Sequence, residues 1–158
     1  MEMRVIALSA VAVLMLSAQT ARPADSTTVT IRLISHTSSG TNVLRDRAPK
    51  GTSKGDVWRL SSELRNAVPQ FSRGKGAIVG HKTVVIKWLD RNRADITVRS
   101  DLPGGRLLGG GVVRFTPQMA HRITDGTGRF KNASGTAEWV EVGEDGHRRR
   151  LLYRLVLG

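Results

Sequence analysis

Cysteine is absent from this 158-residue chain. That excludes disulfides, thiol nucleophiles and thiolate metal ligands together, and leaves the fold to be held by its core alone. Aromatic residues are almost as scarce, at 4%: Trp58, Trp88, Trp139, Phe71, Phe115, Phe130 and Tyr153. Each is therefore expected to anchor packing or to line a cavity. Acidic residues are outnumbered, 13 against 25 Lys and Arg, which gives a formal net charge of +12. Such a balance favours weak association with anionic polymers, whether cell-wall polymers, lipid head groups or nucleic acid. No specific nucleic-acid partner is expected. The cations are spread along the chain, Arg148-Arg149-Arg150 is the one tight cluster, and rings do not alternate with them as a single-strand platform requires.

Long apolar runs are also lacking, except at the start. Arg4 precedes an almost unbroken apolar stretch from Val5 to Leu16, followed by the small residues Ser17, Ala18, Thr20, Ala21 and Ala24. This is the layout of a secretory signal peptide, and the run is short for a membrane-spanning helix. Residues 1–24 are expected to be a signal peptide, or else a retained N-terminal anchor. Residues 25–158 then form one domain, placed outside the cell, in the periplasm or in the cell envelope. Hydrophobic residues at 39% suffice for one real core.

What the rest of the chain does contain is alternation. Val29, Ile31 and Leu33 fall on one face, opposite Thr28, Thr30 and Arg32. Trp58, Leu60 and Leu64 repeat the pattern, as do Val84, Ile86 and Trp88, Ile96 and Val98, Val113 and Phe115, and Leu151, Tyr153, Leu155 and Leu157. A period of two is the strand signature, because successive side chains point to opposite faces. Turn residues punctuate the runs at Asp90–Arg93, Leu102–Gly105, Asp125–Gly128 and Glu144–Gly146. One helical turn is expected around Ser61–Ala67, stopped by Pro69. The spacing predicts an all-β fold of about eight strands, a sandwich or a closed barrel, and a barrel of that size can hold one small ligand.

Motifs for other chemistries are missing. Gly126-x-Gly128 is followed by Lys131 and no βαβ pattern surrounds it, and Gly109-Gly110-Gly111 lacks the Lys-Ser/Thr of a phosphate loop. Both read as hairpins or strand kinks. His36, His81, His121 and His147 show no metal-ligand spacing, so neither a metal nor a cofactor is expected. Asp46 and Asp56 flank a glycine-containing loop and read as turn caps rather than as an acid–base pair. Asn132-Ala133-Ser134 fits a glycosylation sequon within a hairpin.

Three stretches carry a family resemblance. Asp46-Arg47-Ala48-Pro49-Lys50-Gly51 with Lys54-Gly55-Asp56 resembles the entry to the second strand of bacterial allene-oxide-cyclase-like barrels. Ile123–Phe130, with Ala133 and Gly135, is similar to the glycine-rich hairpin shared with dirigent proteins, and Leu151–Gly158 to the closing strand of the cyclases. The resemblance implies a single eight-stranded antiparallel barrel that steers small-molecule cyclisation or coupling in an apolar cavity. It also implies association of copies, as a homotrimer or failing that a homodimer. Asn42 and Pro49 match the family's pocket residues, whereas its catalytic carboxylate falls on Gly40, its pocket cysteine on Lys82 and its pocket tyrosine on Val113. His36 stands where dirigent proteins carry a His-Asp pair, but Thr37 replaces the aspartate.

The candidate catalytic residues are accordingly Lys82 and Asn42, and the candidate ligand-binding residues are Pro49, Trp58, Leu60, Ser62 and Val113. A lysine facing an apolar lumen would lose basicity through desolvation and could act as a base or stabilise an enolate. A register displaced by one residue would instead put Lys82 in solvent. Two functions fit: an exported cyclase or isomerase that folds an apolar substrate, or a non-catalytic envelope protein that binds an apolar or lipid ligand. An interior packed solid would exclude both.

Overall fold

The structure, a computed structural model, describes residues 26–37, 42–47, 52–143 and 147–158, with 42–44 as backbone. The expected leader, Gly40, Pro49 and the side chain of Asn42 lie outside the described residues. Nine strands and no helix are present among the described residues: β1 Thr27–Thr37, β2 Asn42–Arg45, β3 Val57–Asn66, β4 Ile78–Trp88, β5 Arg93–Leu102, β6 Gly105–Arg114, β7 Gln118–Gly128, β8 Ser134–Glu141 and β9 Arg148–Leu157. All pair antiparallel. From β3 to β9 each strand pairs with the next in the chain, β9 pairs with β1, and β1 pairs back onto β3. Eight strands thus close the expected barrel, and β2 is an addition outside the closed circuit.

Two partners share β3. Its first residues, Val57–Arg59, face β2, with Asn42 opposite Arg59. Its last residues, Ser62–Asn66, pair with β1, Leu33 lying opposite Asn66. The helical turn expected at Ser61–Ala67 is not formed, because closure recruits this segment as strand out to Asn66. Asn66, which is buried, then donates through Nδ2 to the carbonyls of Gln70 (2.8 Å) and Arg73 (3.0 Å), ordering the loop beyond Pro69.

The alternation read from the sequence becomes the inside and outside of the barrel. Leu33, Leu64, Ala94, Ala137, Leu151, Tyr153 and Leu155 are fully buried, and Ile31, Val84, Ile86, Ile96, Val98, Leu107 and Ile123 nearly so. Burying such a side chain fully contributes roughly 1.5–3 kcal/mol, which is how a chain without disulfides holds this sheet closed. Phe130, in the turn after β7, is also fully buried, so the glycine-rich hairpin delivers an aromatic plug to the core. Asp56 caps its loop as expected: its carboxylate accepts from the amides of Arg47 (2.7 Å) and Ser53 (2.8 Å) and from the Ser53 hydroxyl (3.0 Å). Burial alone would raise its pKa, but these hydrogen bonds outweigh it and hold the carboxyl below its usual range.

One wall is not continuous. The β6–β7 ladder runs from Gly105 opposite Gly128 to Gly110 opposite Arg122, shifts register after Leu108, and ends there. Beyond Gly110 the two strands diverge towards their connection at Phe115–Pro117. The glycine run permits this kink: a Cβ on Gly110, at φ +150°, would meet the Ile96 carbonyl oxygen at 2.0 Å. Gly110→Ala is expected to cost about 2–4 kcal/mol, read as a lower denaturation midpoint at unchanged slope.

Candidate functional site

Inward-facing positions on β3, β4 and β5 place three polar side chains in one row. Ser62 lies opposite Lys82, and Lys82 opposite Ser100; all three are buried. The displaced register that would have exposed Lys82 is excluded, since the residue is 2% accessible. Partners for the row come from across the lumen and, for Ser62, from the neighbouring strand β1. The Ser100 hydroxyl is 2.9 Å from the Tyr153 hydroxyl of β9. Ser62 Oγ lies 3.2 Å from Thr37 Oγ1 of β1, which in turn accepts from Arg149 at 3.4 Å. The Lys82 ammonium sits 4.2 Å from the ring centroid of Trp139 on β8, in cation–π range. His121 of β7 meets the same indole edge-on, 5.3 Å between centroids.

Electrostatics follow from this enclosure. Burial, with a smaller contribution from the positive charge of Arg149, lowers the Lys82 pKa to about 7. His121 is lowered to about 4, chiefly by burial and then by Lys82, so its imidazole is neutral at physiological pH. Burial raises Tyr153 to about 12 against the opposing hydrogen bond from Ser100. A lysine poised near neutrality can take or give a proton at working pH, as a general acid or base must.

Among the described residues no carboxylate pairs with Lys82; Glu63, Asp90, Asp101 and Glu138 bind arginines elsewhere, and Glu141 is paired with Arg149 at 3.4 Å. Among the described residues five buried side-chain polar atoms find no protein partner: Ser35 Oγ, Asn66 Oδ1, His121 Nε2, Trp88 Nε1 and Trp139 Nε1.

Above the row the lumen opens. A cavity of about 370 Å³ is lined by Trp58, Leu60, Ile86, Trp88, Phe115 and Arg149, with His147 at its edge. A second, of about 240 Å³, shares Phe115 and Arg149 with the first and adds Met119 and Trp139. The rings pack on one another, Trp58 to Trp88 at 5.2 Å and Trp88 to Phe115 at 4.5 Å. Trp58 and Leu60 therefore lie at the opening and Ser62 and Lys82 in the interior. Val113 is set apart. It is buried, but it lines a third cavity of about 370 Å³ where β6 and β7 diverge, together with Gly110, Gly111 and His121. Asn42 stands on β2, outside the closed circuit of strands. His36 is exposed on the outer face beside Glu63.

Residues that sequence reasoning passed over are His121, Trp139, Arg149 and Tyr153. Alternation with Ile123 marks His121 as inward-facing, and the triple-arginine cluster contains Arg149. Nothing local signals that they converge on Lys82.

A neutral imidazole buried at pH 7 must gain a proton when the chain unfolds in acid. Since His121 has its folded pKa depressed from 6.5 to about 4, stability is expected to fall as pH drops from about 6.5 to about 4, by up to about 3 kcal/mol. His121→Phe should flatten that limb of an unfolding profile measured at successive pH values.

The chain folds as a closed barrel of the dirigent and allene-oxide-cyclase type. Solved structures similar to it include pyocyanin demethylase, with a TM-score of 0.64 at 18% identity, covering 80% of this chain and 99% of that one. The pterocarpan synthase dirigent protein GePTS1 superposes with a TM-score of 0.63 at 14% identity, covering 86% of this chain and 87% of that one. The Diels–Alderase AbmU from Streptomyces koyangensis does so with 0.64 at 16% identity, over 82% of this chain and 63% of that one. No family model matches the sequence, and no curated sequence is similar to it.

Proposed function

We propose that the barrel binds a largely apolar small molecule in its lumen and steers it into the conformation from which it cyclises or isomerises. The observation that carries this reading is the lysine buried on the face of Trp139, beneath two adjoining cavities walled by aromatic rings. Rings and aliphatic side chains would hold the body of the substrate and exclude water, contributing through orientation. Lys82, near neutrality, would exchange a proton with the reacting oxygen or stabilise an enolate there. Solved structures of the same fold named as a pterocarpan synthase dirigent protein and as a Diels–Alderase support cyclisation as the class of reaction.

The test is incubation of the purified protein with linear polyene and polyketide-like precursors, with product analysis by mass spectrometry. Turnover that falls at least tenfold in Lys82→Met supports the reading. Saturable binding with no turnover of any precursor would instead favour a non-catalytic carrier of an apolar or lipid ligand. Protection of Trp58 from a soluble fluorescence quencher separates binding in the lumen from binding elsewhere.

Residues 1–24 are proposed to be removed on export, leaving the barrel outside the cell, in the periplasm or in the envelope, where its basic surface would hold it loosely to anionic polymers. N-terminal sequencing of the protein from its native host tests the cleavage. Native mass spectrometry tests association as a trimer or dimer.

A further inference from the structure

Polar groups inside a barrel are normally paired, and each exception asks for a partner. Here the exceptions are of both kinds over the whole interior: Asn66 Oδ1 only accepts, and Ser35 Oγ and His121 Nε2 can do either. The hydroxyls of Ser62 and Thr37, and of Ser100 and Tyr153, are engaged with one another. At the upper cavities the surplus is in donors: the indole N–H groups of Trp88 and Trp139 line them, buried and unpartnered, and the Lys82 ammonium lies on the Trp139 ring with no carboxylate partner among the described residues. Arg149 adds a guanidinium that lines both upper cavities and is held by Glu141 only at 3.4 Å. A purely apolar guest would leave the two indole N–H groups unsatisfied and the Lys82 ammonium without a counter-charge, which is costly.

From this donor surplus, and resting on the lumenal-ligand reading above, we propose that the barrel takes an acid rather than a neutral hydrocarbon. Its ligand carries an anionic oxygen group, a carboxylate or an enolate, on a flat apolar body. The oxygens sit between Lys82 and Arg149 within reach of the indole N–H groups, and the body lies among Trp58, Trp88 and Phe115. The cavity of about 370 Å³ lies within the usual range for small-molecule sites. An anion beside Lys82 restores the charged form that burial disfavours, so binding and protonation of this lysine reinforce each other.

The groups facing Lys82 make the linkage readable. His121 from β7 is neutral above about pH 4 and Tyr153 from β9 stays protonated to about pH 12. Arg149 from β9 remains a guanidinium, and Ser62, Ser100 and Trp139 from β3, β5 and β8 do not ionise. His147 at the edge of one cavity and Glu141, which lines the other beside Arg149, are the remaining ionisable neighbours, so the series is repeated in His147→Gln and in Glu141→Gln with the same result expected.

The experiment measures binding of 2-naphthoate and of its neutral isostere 2-naphthamide by tryptophan fluorescence, at pH 6 and pH 9. At pH 6 naphthoate should bind at least tenfold more tightly than the amide. The preference should shrink to about twofold in Lys82→Met. In the wild type and in His147→Gln, naphthoate affinity should fall at least fivefold between pH 6 and pH 9 while the amide is unchanged. Equal binding of acid and amide at pH 6 overturns the inference and leaves the small-molecule lumen standing. Failure of both probes to bind would remove the lumenal reading and this inference with it. Should Lys82→Met not fold, the pH series on the wild type decides the question alone.

Discussion

Replacing Lys82 with methionine should stabilise the fold below neutral pH by on the order of 4–5 kcal/mol, and the gain should vanish as the pH rises towards 10.5. The folded-state pKa of Lys82 is depressed from 10.5 to about 7, and each unit of depression corresponds to about 1.4 kcal/mol. Below pH 7 both folded and unfolded chains carry the proton, so the full cost of a buried charge is present. Between about 7 and 10.5 the unfolded chain holds the proton and the folded chain does not. Stability of the wild type therefore gains from this group as pH increases across that window. Lys82→Met keeps the length and apolar stem of the side chain while removing the ionisable nitrogen, and its profile should lack the rise. Urea unfolding of both proteins at half-unit steps from pH 5.5 to 10.5 measures the difference directly, and groups common to both cancel. A constant difference across the range would mean that Lys82 reaches water in the folded protein. A buried lysine that costs this much is better explained by what it binds than by what it stabilises.

Trp139→Ala should be the most damaging of the aromatic substitutions, costing about 3–5 kcal/mol. Trp139 is 3% accessible, and its ring is the shared platform on which Lys82 and His121 meet. Deleting it opens a void beneath the upper cavities and removes the cation–π contact that offsets part of the desolvation of Lys82. Trp139→Phe keeps a ring face and should cost less than half as much. Chemical denaturation gives the stability difference. If the alanine variant loses less than about 1 kcal/mol, the interior is loose enough to refill by repacking, and the enclosure argued for Lys82 fails.

Much of the barrel was legible because closure imposes a simple rule on the chain: every second residue faces in. Leu33, Val84, Ile96, Tyr153 and Leu155 follow it without exception, and the resemblance of Ile123–Phe130 to the dirigent hairpin agrees with the observed turn between β7 and β8. The Ser61–Ala67 segment misled because Glu63, Leu64 and Arg65 suit a helix, and only its pairing with β1 on one side and β4 on the other decides for a strand. The family resemblance, whose pocket cysteine falls on Lys82, made that residue a candidate for the interior. Alternation could not show what faces Lys82, because Trp139, His121 and Arg149 reach it from strands far along the chain, and a period of two reports a side rather than a neighbour. Val113 illustrates the same limit. It is buried as expected, yet the divergence of β6 from β7 after Gly110 assigns it to a different hollow.

The pairing of β1 with β9 from Thr27–Leu157 to His36–Arg148 sets the order in which the molecule can be made. The first strand finds its main hydrogen-bonded neighbour only when Arg148–Leu157 exist, and its remaining contact, with β3, is short. Hairpins can form early, but the ring cannot shut until β9 has emerged from the ribosome. Long-range closure of this kind is slow, on the order of milliseconds to seconds. A nascent chain would thus stay open along this seam until residues 148–157 have been made.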